Sequence, residues 1–310
     1  MPPKPRERDD PAVWDVARPK QPSRITGVSM AGFRDRGVSA AAHRAVPHPS
    51  VSLALAFGAG PLVVDDPAGR RLSGSVAAGL GFGSGTPWVR GERFEAVQVR
   101  LSPLVAGAIL GVSPAELDGA FVRLDELWGR EASRIGERLD AAPTWAERFA
   151  LTDAFLARRR TRPSLDPEVA WAWRRIVAGR GLTRVDDLAA EVGWSRKRLW
   201  SRFRSQIGLP PKRAATLVRF DHAAHRLAQG RDPARVAAET GYADQSHLHR
   251  DVVAFTGTTP TNVAGERWLA VDEFAWPTEN GPDRQTRAVR AGYQEPSKKA
   301  WRAGAEWPAV

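Results

Sequence analysis

Arg196, Lys197, Arg198, Ser201 and Arg204 crowd into one short segment in which Leu199, Phe203 and Ile207 recur every four residues. At about 100° per residue the three apolar side chains share one side of a helix. Lys197, Arg198, Ser201 and Ser205 then point away from it, with Arg204 beside them. A helical face of that composition can bind phosphates, and its Arg and Lys can pair with guanine. Trp200 falls near the edge of the apolar side, where core packing and DNA contact are both open to it. A second set follows: Leu248, Val252 and Phe255 should face inward, which leaves Ser246, His249 and Arg250 outward and Gln245 in the first turn. Gln can bridge adenine, and Arg250 is the best single candidate for a guanine contact. The chemistry indicated is the reading of duplex DNA.

Two similar cassettes must position these residues. The first is Leu188-Ala189-Ala190-Glu191-Val192-Gly193-Trp194-Ser195, followed by Leu199, Phe203 and Gly208. The second, 48 residues on, is Val236-Ala237-Ala238-Glu239-Thr240-Gly241-Tyr242-Ala243-Asp244, followed by Leu248, Val252 and Gly257. In each, a short Ala-rich helix ends at a Gly suited to positive φ, an aromatic follows, and Ser195 or Asp244 caps a second amphipathic helix. This is the grammar of a helix-turn-helix, whose second helix enters the major groove. Between the cassettes, Pro210-Pro211 opens a stretch to Gln229 in which Leu217, Phe220, Ala224 and Leu227 keep helical spacing. About 19 residues of helix span roughly 28 Å, against about 34 Å for one DNA turn. One chain could address two adjacent major grooves, alone or with some bending of the duplex.

Charge agrees with that chemistry. The 310 residues carry a formal charge of +11, and residues 174–213 hold eleven Lys or Arg against three Asp or Glu. A basic balance of this size favours a polyanionic partner, although solubility alone is the blander use of a basic surface. The chain has no cysteine, which excludes disulfides, Cys-ligated zinc, a thiol nucleophile and alkyl acceptance on sulfur. No signal peptide and no apolar run of membrane-spanning length is visible. A cytoplasmic, nucleoid-associated protein with no membrane partner is the expectation.

The predicted fold class is α+β in two domains. Residues 1–24, rich in Pro and charge, read as a disordered tail. Residues 25–160 read as a β-rich domain with helices at its end. Ser50–Phe57 and Phe94–Leu101 alternate as strands, and Leu62–Val64, the turn Asp66-Pro67-Ala68-Gly69, and Leu72 suggest a hairpin. Gly81, Gly83 and Gly85 lack the strand-turn-helix context of a nucleotide loop. From Pro103 the pattern turns helical: Leu104–Leu110 closes at Gly111, Ser113-Pro114-Ala115-Glu116 is a helix start, and Thr144-Trp145-Ala146-Glu147 is a capping box. Arg158-Arg159-Arg160-Thr161-Arg162-Pro163 reads as a basic linker at the domain boundary, able to bind phosphates but more simply solvated. Residues 161–272 read as an all-α domain. Residues 273–310, with Trp276, Trp301 and Trp307, read as a mostly disordered tail.

Other chemistry is poorly supplied. His43 and His48 flank a Pro near a predicted strand, but a metal-dependent enzyme would want about three His and a carboxylate on one site, and the next His is His222. Surface or pocket histidines are the simpler reading. His222 with His225, and His247 with His249, are equally poor metal candidates. No Ser-His-Asp arrangement, P-loop or paired carboxylate stands out, and neither a cofactor nor an enzymatic activity is expected.

Residues 165–270 resemble the DNA-binding domain of AraC/XylS-type bacterial transcription regulators. The resemblance rests on Gly241-Tyr242-Ala243-Asp244-Gln245-Ser246-His247-Leu248-His249-Arg250, then Gly257-Thr258-Thr259-Pro260, and on Leu188–Gly208. It implies seven helices, two helix-turn-helix units joined by a long helix, and groove-contacting positions at Lys197, Trp200, Ser201, Gln245, Ser246 and Arg250. Two departures stand out: Ser201 where the family usually has Arg, and Val252-Val253 where it usually has Phe-Lys. More loosely, the stretch through Pro103, Gly107, Leu110, Gly111, Val112, Leu117 and Leu127-Trp128-Gly129 resembles the cupin-like sensory domains that precede this module. The resemblance implies a regulator reading a bipartite promoter site in double-stranded DNA, with RNA polymerase, a small-molecule effector and a second copy of the chain as further partners. An effector-independent architectural DNA-binding protein, or a metal-dependent enzyme fused to a DNA-binding module, are the other readings.

Overall fold

The computed structural model describes residues 14–35, 42–66, 69–81, 86–91, 93–117, 121–161 and 165–263. Nine strands come first: β1 (Trp14–Ala17), β2 (Val28–Asp35), β3 (His43–Arg44), β4 (Val51–Gly58), β5 (Val63–Asp65), β6 (Arg71–Ser73), β7 (Val76–Ala78), β8 (Trp88–Arg90) and β9 (Phe94–Leu101). Then come α1 (Pro103–Leu110), a strand β10 (Phe121–Arg123), α2 (Leu124–Trp128), α3 (Arg130–Ala141) and α4 (Trp145–Arg159). The strands form a six-stranded sheet in the order β1-β2-β9-β4-β7-β10 and a four-stranded sheet in the order β3-β8-β5-β6. Every pairing described is antiparallel.

Strand β4 shows how the sequence builds the larger sheet. Val51, Leu53, Leu55 and Phe57 are buried, and they join the core that includes Ile135, Leu139 and Phe149 of the covering helices. The intervening Ala54 and Ala56 are partly buried. They pack with Phe33, Leu62, Val64 and Phe94 in the core between the two sheets. One face of β4 is therefore buried and the other partly covered, and the small residues on the latter leave room for a cavity of about 90 Å³. Gly32 in β2 permits a close approach, because a Cβ there would stand 2.3 Å from the Trp145 ring of α4.

Several expectations need correction. Residues 14–17 of the presumed N-terminal tail form β1, paired with β2 from Trp14↔Asp35 to Ala17↔Gly32. The end of that segment is tied down too, since Ser23 Oγ and Arg24 Nε both donate to the Asp153 carboxylate, while residues 1–13 lie outside the described residues. The helix expected from Ser113 is one turn of 3-10 helix, Pro114–Leu117, closed by Ser113 N–H donating to Glu116 Oε1 at 2.7 Å. The stretch after Pro103 is not wholly helical, because β10 adds to the sheet edge beside β7. The basic linker is not simply solvated. Arg158 and Arg159 end α4, Arg159 pairs with Glu131 and lies over the Trp128 ring, and Thr161 N–H donates to Ala108 O at 3.0 Å. Residues 273–310 and the glycines Gly83 and Gly85 lie outside the described residues.

Seven helices follow among the described residues: α5 (Pro167–Ala178), α6 (Val185–Glu191), α7 (Arg196–Ile207), α8 (Pro211–Ala228), α9 (Pro233–Glu239), α10 (Gln245–Thr256) and α11 (Pro260–Val263). Helix α8 has 18 residues, about 27 Å of rise. Its Leu217, Phe220, Ala224 and Leu227 are buried, so it is the axle on which both helix-turn-helix units pack. One apolar core runs unbroken from Val51 and Leu53 of the sheet to Phe203 and Leu217 of the helical part. No helix among the described residues is long and apolar enough to cross a membrane.

Candidate nucleic-acid interface

Each recognition helix is set by local chemistry. In the first unit, Gly193 takes φ +70°, Ser195 Oγ accepts from Arg198 N–H at 3.2 Å, and Gly208 ends α7 at φ +95°. In the second, Gly241 takes φ +73°, Asp244 Oδ1 accepts from His247 N–H at 2.7 Å, and Gly257 ends α10 at φ +65°. Without Cβ, glycine bears these left-handed angles at little cost. Leu199, Phe203 and Ile207 are fully buried, each contributing about 1.5–3 kcal/mol to holding α7 in place. Leu248, Val252 and Phe255 do the same for α10. Phe255 stacks on Phe220 of α8 with centroids 4.8 Å apart. The departure at Val252-Val253 is absorbed: Val252 fills the buried position, and Val253 is exposed.

On the outer side, Arg196, Lys197, Arg198, Trp200, Ser201 and Arg204 are all exposed on α7. On α10, Gln245, Ser246, His249 and Arg250 are exposed. Trp200 does not join the core. It is 46% exposed, and the Arg204 guanidinium lies 5.3 Å from its ring centroid. Arg198 lies over Trp194 at 4.3 Å, and Arg196 reaches Asp186 of α6 at 3.1 Å. Arg250 Nε donates to Ser246 O at 3.4 Å on its own helix. The first face carries four cations and the second carries one Arg, so the electrostatic attraction for phosphate is concentrated on the first.

Sequence reasoning missed the fate of Arg202. It stands next to Ser201, yet its guanidinium is bound on both Nε and Nη2 by the Asp166 carboxylate, at 2.6 and 2.8 Å. Those bonds hold the Asp166 carboxyl below the ordinary carboxylate range. Asp166 lies 36 residues away, so nothing local signalled the pair. His247 packs edge-on to Tyr242 at 5.1 Å, a structural use. His48 faces Ser50 at 2.8 Å and Asp221 of α8 at 3.6 Å. No group of three or more His, Cys, Asp or Glu among the described residues could hold a metal ion.

The sheet-rich part holds both recognition helices by their C-terminal ends. Ser113 Oγ donates to Ser205 O of α7 at 2.7 Å, and a Cβ on Gly208 would stand 2.9 Å from Pro114 O. Arg44 Nη1 donates to Thr256 O at the end of α10 at 3.1 Å. Donors placed there satisfy carbonyls that a helix leaves unpaired. The N-terminal turns of α7 and α10 stay exposed, and these are the turns that reach base edges in helix-turn-helix complexes.

Residues 188–265 match a protein-family model described as a helix-turn-helix domain. A 64-residue stretch is 36% identical to an uncharacterised HTH-type transcriptional regulator of Bacillus subtilis, YbfI, covering 21% of this chain and 23% of that one. The match thus spans less than a quarter of the relative's length. Among solved structures, ToxT from Vibrio cholerae aligns over 78% of this chain and 98% of its own, at 8% identity and a TM-score of 0.45. The C-terminal domain of AraT, a response regulator from Geobacillus stearothermophilus, aligns over 33% of this chain and 87% of its own, at 19% identity and a TM-score of 0.31.

Proposed function

We propose that the chain, whose residues 188–265 match a helix-turn-helix domain, is a sequence-specific regulator of transcription of the AraC type that reads a bipartite promoter site. One observation carries this reading: two capped helices present exposed polar and cationic N-terminal turns on one α8 frame. Lys197, Arg198, Ser201, Gln245, Ser246, His249 and Arg250 are the proposed groove contacts, with Arg196, Trp200 and Arg204 at the flank and on phosphate. The reading assigns binding rather than turnover. It places the protein in the cytoplasm, on promoter DNA, with RNA polymerase as a partner and a second copy of the chain as another.

The sheet-rich part, a cupin-like domain on this reading, takes the sensory role. Its cavity between the sheets is lined by apolar Phe33, Leu62, Phe94 and Phe121, with Gln98 and His48 among the polar groups. At about 90 Å³ it is below the roughly 300–1,000 Å³ of pockets for drug-sized ligands, so it suits a small effector. His48 also touches Asp221 of α8. A ligand there could regulate binding only by favouring one arrangement of the two parts over another.

The test is selection from a random duplex pool with the full chain at near-physiological salt. Two boxes about one helical turn apart are expected. Binding that disappears as salt rises, with no enriched sequence, overturns the reading in favour of an architectural protein.

A further inference from the structure

The turn that leads into the first unit touches the second unit directly, apart from the α8 that both units share. The connection between α5 and α6 is a tight turn with Arg180 at φ +51° and Gly181 at φ +76°. Three backbone bonds lock it: Arg180 N–H to Val177 O at 3.0 Å, Gly181 N–H to Ile176 O at 2.9 Å, and Leu182 N–H to Gly179 O at 2.9 Å. The turn lies flat on the long helix, since a Cβ on Gly181 would stand 2.1 Å from Ala215 O and 2.8 Å from Arg219 N. From there Leu182 reaches the turn of the second unit. A Cβ on Gly241 would stand 2.4 Å from Leu182 Cδ2. Gly241 is thus required twice, by its positive φ and by the leucine lying on it.

The contact continues to the second recognition helix. Tyr242 follows Gly241, and its buried ring lies under the Arg219 guanidinium at 4.3 Å. Arg219 Nη2 in turn donates to Asp251 Oδ2 of α10 at 3.1 Å, with both side chains mostly buried. On the other side, Leu182 leads within a few residues into α6 and α7. Leu182 is itself 54% exposed, so half of a large apolar side chain stays in water while the other half covers a glycine of the neighbouring unit. One shared helix permits two units to swivel about it. A second contact away from that axis fixes the angle.

We propose that Leu182 is a positioning residue that fixes the angle between the two units, and hence the spacing of half-sites that the protein accepts. The inference rests on the bipartite reading above and adds its geometric control. Moving one half-site by a single base pair shifts it by about 3.4 Å and rotates it by roughly 35°. A locked pair of readers cannot follow such a shift. A pair free to swivel can.

The experiment measures binding of the full chain to duplexes in which zero to four base pairs are inserted between the selected half-sites. The wild type should lose roughly tenfold in affinity at the first insertion, as for one or two mispaired positions. Leu182→Ala should lose under about threefold, bind each isolated half-site as the wild type does, and melt at a similar temperature. Leu182→Met should restore the wild-type profile. A Leu182→Ala profile that superimposes on the wild type overturns the inference and leaves the bipartite reading intact. A variant that also loses affinity for isolated half-sites assigns Leu182 to folding and overturns it equally. A wild type that binds only one half-site overturns both.

Discussion

Arg202 and Arg204 carry the same charge on the same helix, yet the structure gives them different work. Taking Phe203 as the centre of the buried face, they stand at about −100° and +100°, one on each flank. A protein that held DNA by net charge alone would lose equally from either. The geometry says otherwise. Arg202 is bound through two nitrogens by Asp166, whereas Arg204 lies on the exposed Trp200 ring, and a cation on an aromatic face still has donors to offer. For each phosphate contact the logarithm of affinity falls by about 0.9 per tenfold rise in salt. Going from 50 to 200 mM salt therefore costs about 3.5-fold per contact. Arg204→Ala should reduce the wild type's salt slope by about 0.9 and weaken all sequences similarly. Arg202→Ala should leave the slope unchanged and cost little stability, since Arg202 is half-exposed and solvent screens its pair with Asp166. The assay is fluorescence anisotropy with a cognate and a scrambled duplex over that salt range, with urea unfolding in parallel. Equal slope losses in the two variants would refute the reasoning and return the interface to a diffuse basic surface.

Three further outcomes follow from the same geometry. Ser195→Ala and Asp244→Ala each remove a helix cap and should cost about 1 kcal/mol in urea unfolding, while Ser195→Asp should cost much less; equal losses for Ala and Asp would deny the capping role. Arg250→Ala should weaken specific binding by about 1–3 kcal/mol and relax preference in one half-site only, and an unchanged selected motif would remove Arg250 from the readout. Asp166 has its carboxyl lowered by Arg202, so the pair's contribution is complete above the unfolded Asp value near pH 3.9 and is lost as pH falls through the lower folded value. Asp166→Asn should therefore be less stable than the wild type at pH 7 and lose less of its stability below about pH 4; an acid profile identical to the wild type would place the shift elsewhere.

The sequence by itself determined most of what one or two turns of chain can encode, although Ser113–Glu116 reads as a helix start where only one 3-10 turn forms. The glycines at 193 and 241, the caps Ser195 and Asp244, and the four-residue apolar recurrence located both recognition helices, and α8 differs from its expected length by one residue. The strands Val51–Gly58 and Phe94–Leu101 and the hairpin around Asp66 were legible for the same reason, because alternation and turn residues are local signals. Exposure of the candidate contacts other than Trp200, which the periodicity left open between core and surface, agrees with that periodicity. The tertiary structure decided what depends on residues brought together from far apart. Alternation in β4 could not say that its alanines face a second sheet rather than water. Composition could not say that Trp14–Ala17 would find an open edge at β2. A run of arginines looks the same whether solvated or, like Arg159, seated over an aromatic ring. The capture of Arg202 by Asp166 and the seating of Leu182 on Gly241 span 36 and 59 residues. Such pairings have no period to read, since they arise only when packing of the apolar core has fixed where each helix lies.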